Sequence, residues 1–127
     1  GVVAVGRNGS ARQIQFVSAG AISATSTDAI NGSQLYSVVE AINQKVTQHN
    51  KMLKAGIAGS AAIAGLPQVR GNGKSMISAG AGNFKGQNAI AVGYSRSSDN
   101  GKVLFRLSGS TNTQGDVVSS VGVGYEW

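Results

Sequence analysis

The sequence predicts an α+β membrane protein in which a coiled-coil helix leads into a transmembrane antiparallel β-barrel. Two patterns predict it: a heptad pattern that begins at Leu35, and four strand-like runs of about ten residues, the length of a tilted membrane strand. In the last run one face carries valines, Tyr125 and Trp127, whereas the opposite face carries serine, Gly122 and Gly124. A large apolar face opposite a face of small residues is typical of a strand whose outer side meets lipid.

Composition excludes several classes of protein. Charged residues make up 13% of the 127 residues, against about 25% in soluble domains, and glycine occurs 19 times. The net charge is +6, but the basic residues are spread from Arg7 to Arg106, so a nucleic-acid partner is not expected. The absence of cysteine suits a periplasmic or surface route. Because the chain opens in mid-pattern at Gly1 without a basic-then-apolar leader, we expect it to be the C-terminal part of a longer protein.

Nothing in the sequence supports catalysis, a cofactor or a metal site. There is one histidine, and the five carboxylates are scattered along the chain. The Gly-x-Gly pairs lack the strand-to-helix context of a phosphate-binding loop. No apolar stretch is long enough for a transmembrane helix.

The chain divides into three expected segments. Residues 1–27 contain short β-like runs broken by glycine and serine, and we interpret them as the end of an upstream domain. Residues 28–67 are expected to be mainly helical, and residues 68–127 to form the four strands. Thr27 or Asp28 is expected to cap the first helical turn, with Ser33 as the alternative cap after the turn-like Asn31-Gly32 pair.

The heptad pattern defines a narrow apolar stripe that we call the seam. It consists of Leu35, Val39, Ile42, Val46, His49, Leu53 and Gly56. One helix cannot bury such a stripe, so the seam requires partner helices. β-branched residues at the first heptad position (a), together with Ile42 at a fourth position (d), slightly disfavour a simple dimer. His49, the only histidine, is interpreted as a tolerated polar residue that fixes register; the alternative is that three copies bind an ion at the axis.

The helix changes character after Lys54. Residues 55–66, which we call the plug segment, are uncharged and contain Gly56, Gly59 and Gly65. Glycine destabilises a helix by about 1 kcal/mol per position, so close approach of other backbones must compensate. The segment spans only about 18 Å as a helix, which predicts a helix inside a narrow protein lumen. Pro67 is expected to end it.

Four strands and three tight connections are predicted after the plug segment. The strands are expected at Lys74–Phe84, Gln87–Arg96, Lys102–Ser110 and Asp116–Trp127. The connections are Lys85-Gly86, Ser97 to Gly101 and Thr111 to Gly115, which are hairpin signals.

The predicted faces are consistent across the four strands. The outward face is expected to carry Ile77, Ala79, Ala81, Ile90, Val92, Tyr94, Val103, Phe105, Leu107, Val117, Val121, Val123, Tyr125 and Trp127. The inward face is expected to carry Ser78, Gly80, Gly82, Ala89, Ala91, Gly93, Ser95, Arg106, Ser108, Ser120, Gly122 and Gly124. Arg106 and Glu126 are expected either to pair across the last two strands or to lie solvated near the rim.

Four strands cannot close a membrane barrel, because the smallest have eight and open edges in lipid leave backbone groups unpaired. Two chains would give an eight-stranded barrel. Side chains alone fill the interior of such a barrel and leave no space for a helix. Three chains would give a 12-stranded barrel, four strands per chain, with three helices in the lumen. The lumen glycines predicted to pack there are Gly59, Gly80, Gly82, Gly93, Gly122 and Gly124.

Specific stretches of the chain resemble the trimeric autotransporter adhesins. Ile22–Tyr36 is similar to their neck connector, Arg12–Gly20 to the lead-in of that neck, and Gly86–Gly93 to part of their YadA-like membrane anchor. The resemblance implies a coiled-coil homotrimer in the Gram-negative outer membrane, in contact with outer-membrane lipid, that exports and then holds its passenger. Residues 1–27 would be the end of a head and its neck lead-in. The implied neck positions are Asp28, Asn31, Gly32, Ser33 and Gln34.

The resemblance also implies partners outside the trimer. Tyr125 and Trp127 would form the C-terminal signal that the barrel-assembly machinery reads. A host surface or matrix ligand would bind through the head, which these residues do not include. The alternative functions are a soluble trimeric fibre tip of the phage-tail type, which should show large residues on its inner face, and an open porin-like channel, against which the plug segment argues.

Overall fold

The computed structural model describes residues 1–127 and divides into two compact units, Gly1–Lys45 and Val46–Trp127. One helix, α1 (Gly32–Ala64), contributes to both units. Four strands follow it in the second unit: β1 (Ser75–Phe84), β2 (Gln87–Ser97), β3 (Val103–Asn112) and β4 (Val117–Tyr125).

The first unit is irregular before the helix begins. Its one β-type pairing is an isolated bridge between Arg7 and Ser10, so the expected β-like character of residues 1–27 is wrong for the single chain. The apolar side chains there find no cover, since Val3 is 95% and Phe16 fully exposed. A strand needs a neighbour to pair its backbone groups, and this segment has none within the chain.

The helix begins four residues later than predicted, and Asn31 is its N-cap. The Asn31 Oδ1 atom accepts a hydrogen bond from the backbone N–H of Gln34 at 3.1 Å. Asp28 and Ser33 were wrong as caps: the Asp28 carboxylate accepts from the Ala21 N–H, and the Ser33 hydroxyl donates to Asn31. Thr27 lies well before the first turn.

The helix ends at Ala64, close to the predicted stop at Pro67. The N–H groups of Gly65 and Leu66 donate to the carbonyls of Ala61 and Ile63, which tightens the last turn. The helix does not combine the length and hydropathy that a membrane-crossing helix requires.

The strands form one antiparallel sheet in the order β1-β2-β3-β4, with bounds within two residues of those predicted. The β1–β2 turn is Lys85-Gly86, where both residues have positive φ (46° and 86°), as a type I′ hairpin requires. Gly101 and Gly115 supply the positive φ of the other two turns. The sheet is open, with β1 at one edge and β4 at the other.

Exposure alternates along β1, β2 and β3, and the core lies between the helix and one face of the sheet. The core is small-chained apart from one leucine: it consists of Ala58, Ala62, Leu66, Ala89 and Ala91. The opposite face, which carries Ile77, Val92 and Val121, is exposed at 64% or more for each of these three side chains. The inward and outward positions of β1 to β3 therefore agree with the predicted parity.

Candidate functional site

Four of the five predicted neck residues form a hydrogen-bonded network with the irregular lead-in: Asp28, Asn31, Ser33 and Gln34. Gln34 is its centre: its Oε1 accepts from the N–H groups of Gly20 (3.0 Å) and Asn31 (3.1 Å), and its Nε2 donates to the Gly20 carbonyl at 2.7 Å. The Asn31 Nδ2 donates to the Val17 carbonyl at 2.9 Å, and Asp28 accepts from Ala21 at 2.8 Å. The network folds the chain back onto the first turn of the helix.

Three residues of this network were missed as neck positions: Gly20, Val17 and Ala21, of which Ala21 contributes only its N–H group, to Asp28. Gly20 contributes both of its backbone groups to Gln34, and a Cβ at Gly20 would collide with the Ala29 carbonyl oxygen. Val17 contributes only its carbonyl. A residue that contributes only backbone groups can be of almost any type, so the sequence does not reveal it. Gly20 is the exception, because the close approach of another backbone there excludes a side chain. Gly32 starts the helix, and no atom lies within 4 Å of the position its Cβ would take.

The seam is uncovered in the single chain. Leu35, Ile42, Val46 and Leu53 are each between 52% and 67% exposed, and Val39 is 45% exposed. His49 is also exposed, and no group of three metal-binding side chains occurs in the chain. An exposed apolar stripe of this length is the surface that partner helices cover in a coiled coil.

The plug segment has a second face that contacts the sheet. Ala55, Ala58 and Ala62 are fully buried, whereas Val46 and Leu53 are exposed. A helix turns about 100° per residue, so the seam lies on the side of the helix opposite the sheet. The second unit therefore presents a wall of strands on one side of the helix and an uncovered apolar stripe on the other.

Four of the predicted lumen glycines lie at close contacts within the chain. A Cβ at Gly80 would meet the Ala62 carbonyl oxygen at 3.0 Å, and one at Gly82 would meet the Ala62 nitrogen at 2.7 Å. Gly59 faces Ser110 and Val118, and Gly93 faces Leu66 and Ser78. The missing side chains let the helix backbone approach the sheet.

The other two predicted lumen glycines contact nothing within the chain. No atom lies within 4 Å of a Cβ position at Gly122 or Gly124, and Ser120 beside them is exposed. The helix packs on the inner face of β1, β2 and β3, and Gly59 lies against Val118 on β4, whereas Ser120, Gly122 and Gly124 are exposed. Most of the inner face of β4 is therefore bare.

Arg106 does not pair with Glu126. Its Nη2 donates to the Ile63 carbonyl in the last turn of the helix. The strand register sets Arg106 opposite Gly122, four residues before Glu126. On the neighbouring strand, opposite Arg106, the buried Ser95 hydroxyl accepts from the Val69 N–H at 3.0 Å, so two adjacent inward side chains hold the end of the helix and the segment after it. A cation at a helix C-terminus is favourable because the terminal carbonyls carry negative partial charge.

The outward face ends in aromatic residues. Tyr125 and Trp127 stack with ring centroids 6.5 Å apart and an interplanar angle of 21°. Tyr94 and Phe105 lie on the same face, each about two-fifths exposed. Aromatic side chains at the end of an apolar outward face are typical of the membrane–water interface of β-barrels.

An exposed apolar sheet face backed by a helix of small residues is the architecture of a membrane anchor domain. Comparison with known families agrees. Residues 67–127 match the YadA-like membrane anchor domain, and residues 13–58 match the coiled stalk of trimeric autotransporter adhesins.

Known adhesins are similar over much of the chain. Autotransporter adhesin EhaG of Escherichia coli O157:H7 is 36% identical over 133 residues, covering 96% of this chain, and autotransporter adhesin NhhA of Neisseria meningitidis serogroup B is 37% identical over 100 residues, covering 79%. Autotransporter adhesin BtaF of Brucella suis biovar 1 is 32% identical over 77 residues, covering 61%. The chain spans 8%, 17% and 28% of the length of these relatives.

The chain belongs to the YadA-like trimeric autotransporter adhesins. It is the outer-membrane anchor and translocator of such an adhesin, and it carries part of the coiled stalk. Its place is the Gram-negative outer membrane, with the stalk exposed at the cell surface. The predictions of family, function and location are confirmed.

Proposed function

We propose that three copies of this chain close a 12-stranded barrel, export the passenger through its lumen, and then fill that lumen with their three plug segments. The observation that carries the proposal is the bare inner face of β4. One helix covers the other three strands of its own sheet, so Ser120, Gly122 and Gly124 are left for the helix of a neighbouring copy.

The open sheet supports closure between copies. Both β1 and β4 present one row of unpaired backbone groups. Each unpaired group costs several kcal/mol in a hydrocarbon environment, so an open edge is not tolerated in a membrane. Pairing β4 of one copy with β1 of the next removes every edge once the ring closes.

The helix supports three copies rather than two. An eight-stranded barrel has an interior that side chains alone fill, whereas each copy brings a helix about 10 Å wide. Three helices placed against their own sheets would turn their seams toward a common axis, because the seam lies opposite the sheet.

The order of the elements supports an orientation of the chain in the membrane. If the stalk lies outside, α1 enters from the cell surface, and Pro67 marks its periplasmic end. The turns at Lys85-Gly86 and 113–116 then lie at the cell surface, and the turn at 98–102 lies in the periplasm. Trp127 returns to the periplasmic side, where the barrel-assembly machinery would read it together with Tyr125.

The segments take matching roles in this proposal. Residues 1–27 end the head and lead into the neck, residues 28–67 form neck, stalk and pore helix, and residues 68–127 form the anchor. Asp28, Asn31, Gly32, Ser33 and Gln34 join the lead-in to the stalk, and a head beyond these residues binds a host surface or matrix ligand.

The proposal is tested by expressing the chain behind a signal peptide and running outer membranes on a gel with and without boiling. We expect an SDS-resistant trimer that heat converts to monomer. A monomer in unboiled samples, or a trimer found only in the soluble fraction, would contradict the proposal.

A further inference from the structure

The outward face of the sheet carries a single charged side chain, Arg96. The remaining outward residues of the four strands are apolar, small or neutral polar. Arg96 is exposed and lies opposite Ser75 on β1 and Phe105 on β3, at the end of the sheet that also carries Tyr125. A lone cation beside lipid is costly unless an anion compensates it.

The guanidinium of Arg96 has one partner in the chain. Its Nη1 donates to the Ser75 Oγ at 3.0 Å, and that oxygen is 3.1 Å from the Tyr94 hydroxyl. A guanidinium has five N–H donors, so most of its donors have no acceptor. No carboxylate hydrogen-bonds to Arg96. The cluster of Arg96, Ser75 and Tyr94 is therefore rich in donors and has no negative charge.

An apolar groove begins beside this cluster. Its first part, about 450 Å³, is lined on the outward side by Ile77, Val92, Tyr94, Leu107 and Gly109. Its second part, about 320 Å³, shares Val92 and Gly109 and continues between Ile90, Thr111 and Val117. The groove exists because Gly109 places no side chain between its register partners Val92 and Ser119.

The dimensions suit a membrane lipid. From Arg96 to Ile90 the β2 strand covers six residues, about 20 Å. Because membrane strands tilt by about 45°, this length covers about 14 Å along the membrane normal, which is about half of a hydrocarbon core of about 30 Å. The cluster and groove therefore lie within one leaflet. A cationic, hydroxyl-lined end followed by an apolar channel matches a phosphate headgroup followed by an acyl chain.

We propose that the cluster of Arg96, Ser75 and Tyr94 binds the phosphate of an anionic glycerophospholipid, whose acyl chain lies in the groove over Gly109. This inference rests on the proposed function, since the barrel must set this face against lipid. The cluster is at the Trp127 end, which the proposed topology places on the periplasmic side. The inner leaflet there is built of glycerophospholipid, so we commit to that lipid rather than to lipid A.

The test is lipid retention by the detergent-purified trimer, measured by native mass spectrometry. The probes are phosphatidylglycerol, phosphatidylethanolamine and lipid A, each titrated separately. We expect phosphatidylglycerol to bind most tightly. Arg96→Gln should weaken it about tenfold, as expected for loss of a charge-assisted hydrogen-bonded contact, and Arg96→Lys should weaken it less. Lys102→Gln, at a cation of the adjacent turn, should leave it unchanged.

A second pair of variants tests the groove. Gly109→Leu fills it while leaving Arg96 in place and should reduce retention of the diacyl lipid. Ala81→Leu adds comparable bulk, three carbons instead of four, to the outward face of β1 and should not reduce retention. Three results would overturn the proposal. The first is equal binding of phosphatidylglycerol by the Arg96→Gln and unsubstituted proteins, and the second is an equal loss of binding in Arg96→Gln and Lys102→Gln. The third is tighter binding of phosphatidylethanolamine or lipid A than of phosphatidylglycerol.

The two proposals fail in different ways. Each variant is first tested on an unboiled gel for formation of the SDS-resistant trimer. If the unsubstituted protein forms no membrane trimer, the proposed function fails and this inference falls with it. If the trimer forms but does not prefer phosphatidylglycerol, only the lipid site is refuted.

Discussion

A single amide side chain organises the first unit. Gln34 accepts two backbone hydrogen bonds through Oε1 and donates one through Nε2, which ties the lead-in to the start of the helix. Glutamate would keep the acceptor and lose the donor, and alanine would lose both. The residue type therefore follows from the need to satisfy both backbone groups of Gly20.

We predict that Gln34→Ala destabilises the neck by about 1 to 2 kcal/mol, because it leaves three backbone groups without their partner. Hydrogen exchange at the Gly20 and Asn31 amides should become about tenfold faster or more. Gln44→Ala, on an exposed helical position, is the control and should not change exchange at either amide. Unchanged protection in Gln34→Ala would show that the network does not hold the lead-in.

Arg106 acts on the end of the helix. We predict that Arg106→Met lowers the stability of the anchor by about 1 to 3 kcal/mol, because the Ile63 carbonyl loses a charged donor. The temperature at which the SDS-resistant trimer dissociates should fall, and the Val69 amide should exchange faster. Lys102→Met, which removes a cation from a nearby turn, should leave both unchanged. An unaltered Val69 amide in Arg106→Met would contradict this role.

Sequence reasoning placed Arg106 on the correct face, but neither of its two alternatives, pairing with Glu126 or solvation near the rim, gave the observed partner, the Ile63 carbonyl. Strand parity fixes the direction of a side chain, whereas the partner depends on where the helix ends relative to the sheet. That relation is tertiary and leaves no mark in the spacing of Arg106 and Glu126. The N-cap was missed for a similar reason, since Asn31 was assigned to a turn when its side chain starts the helix.

At the scale of elements, the strands were predicted to within two residues because alternation and glycine-containing turns are local signals. Residues 1–27 were not, because β structure needs a neighbouring strand that this chain does not supply. The plug segment was recognised from its glycines and alanines, and its contact with the sheet accounts for them: Ala58 and Ala62 are fully buried there.

We predict that Gly80→Trp blocks surface display, because an indole cannot fit where a Cβ already lies 3.0 Å from the Ala62 carbonyl oxygen. Gly93→Trp should do the same, since its Cβ would lie 2.8 Å from Leu66. Ala79→Trp, on the outward face beside Gly80, is the matched control and should be displayed normally. Antibody labelling of the stalk on intact cells measures display, and normal labelling of both glycine variants would refute the lumen assignment.

The seam gives a second prediction for the helix. Val46→Lys should weaken the stalk trimer by several kcal/mol, because three unpaired charges would meet at the axis. Thr47→Lys adds the same charge one position off the seam and should have little effect. Thermal unfolding of the stalk by circular dichroism compares the two. Equal melting temperatures for Val46→Lys and the unsubstituted protein would mean that Val46 does not face partner helices.

At the scale of the whole molecule, a single chain leaves several of its surfaces uncovered. The helix covers the inner face of three strands. Three kinds of surface remain uncovered: the seam, the outer edges of β1 and β4, and the inner face of β4. These surfaces indicate that further copies are needed. In the proposed ring, the register between β4 of one copy and β1 of the next belongs to no single chain, so neither the sequence nor one folded copy determines it.

Disulfide cross-linking between neighbouring edges tests the closed ring most directly. The chain has no cysteine, and β1 and β4 lie three strand spacings apart, about 14 Å, which a disulfide cannot bridge. Ala79→Cys is combined in turn with Val117→Cys, Ser119→Cys and Val121→Cys to sample registers, and each single-cysteine variant serves as its control. A closed trimer predicts that at least one pair gives covalent dimer and trimer on a boiled, non-reducing gel. Monomer alone from all three pairs would contradict a barrel closed by β4 against β1.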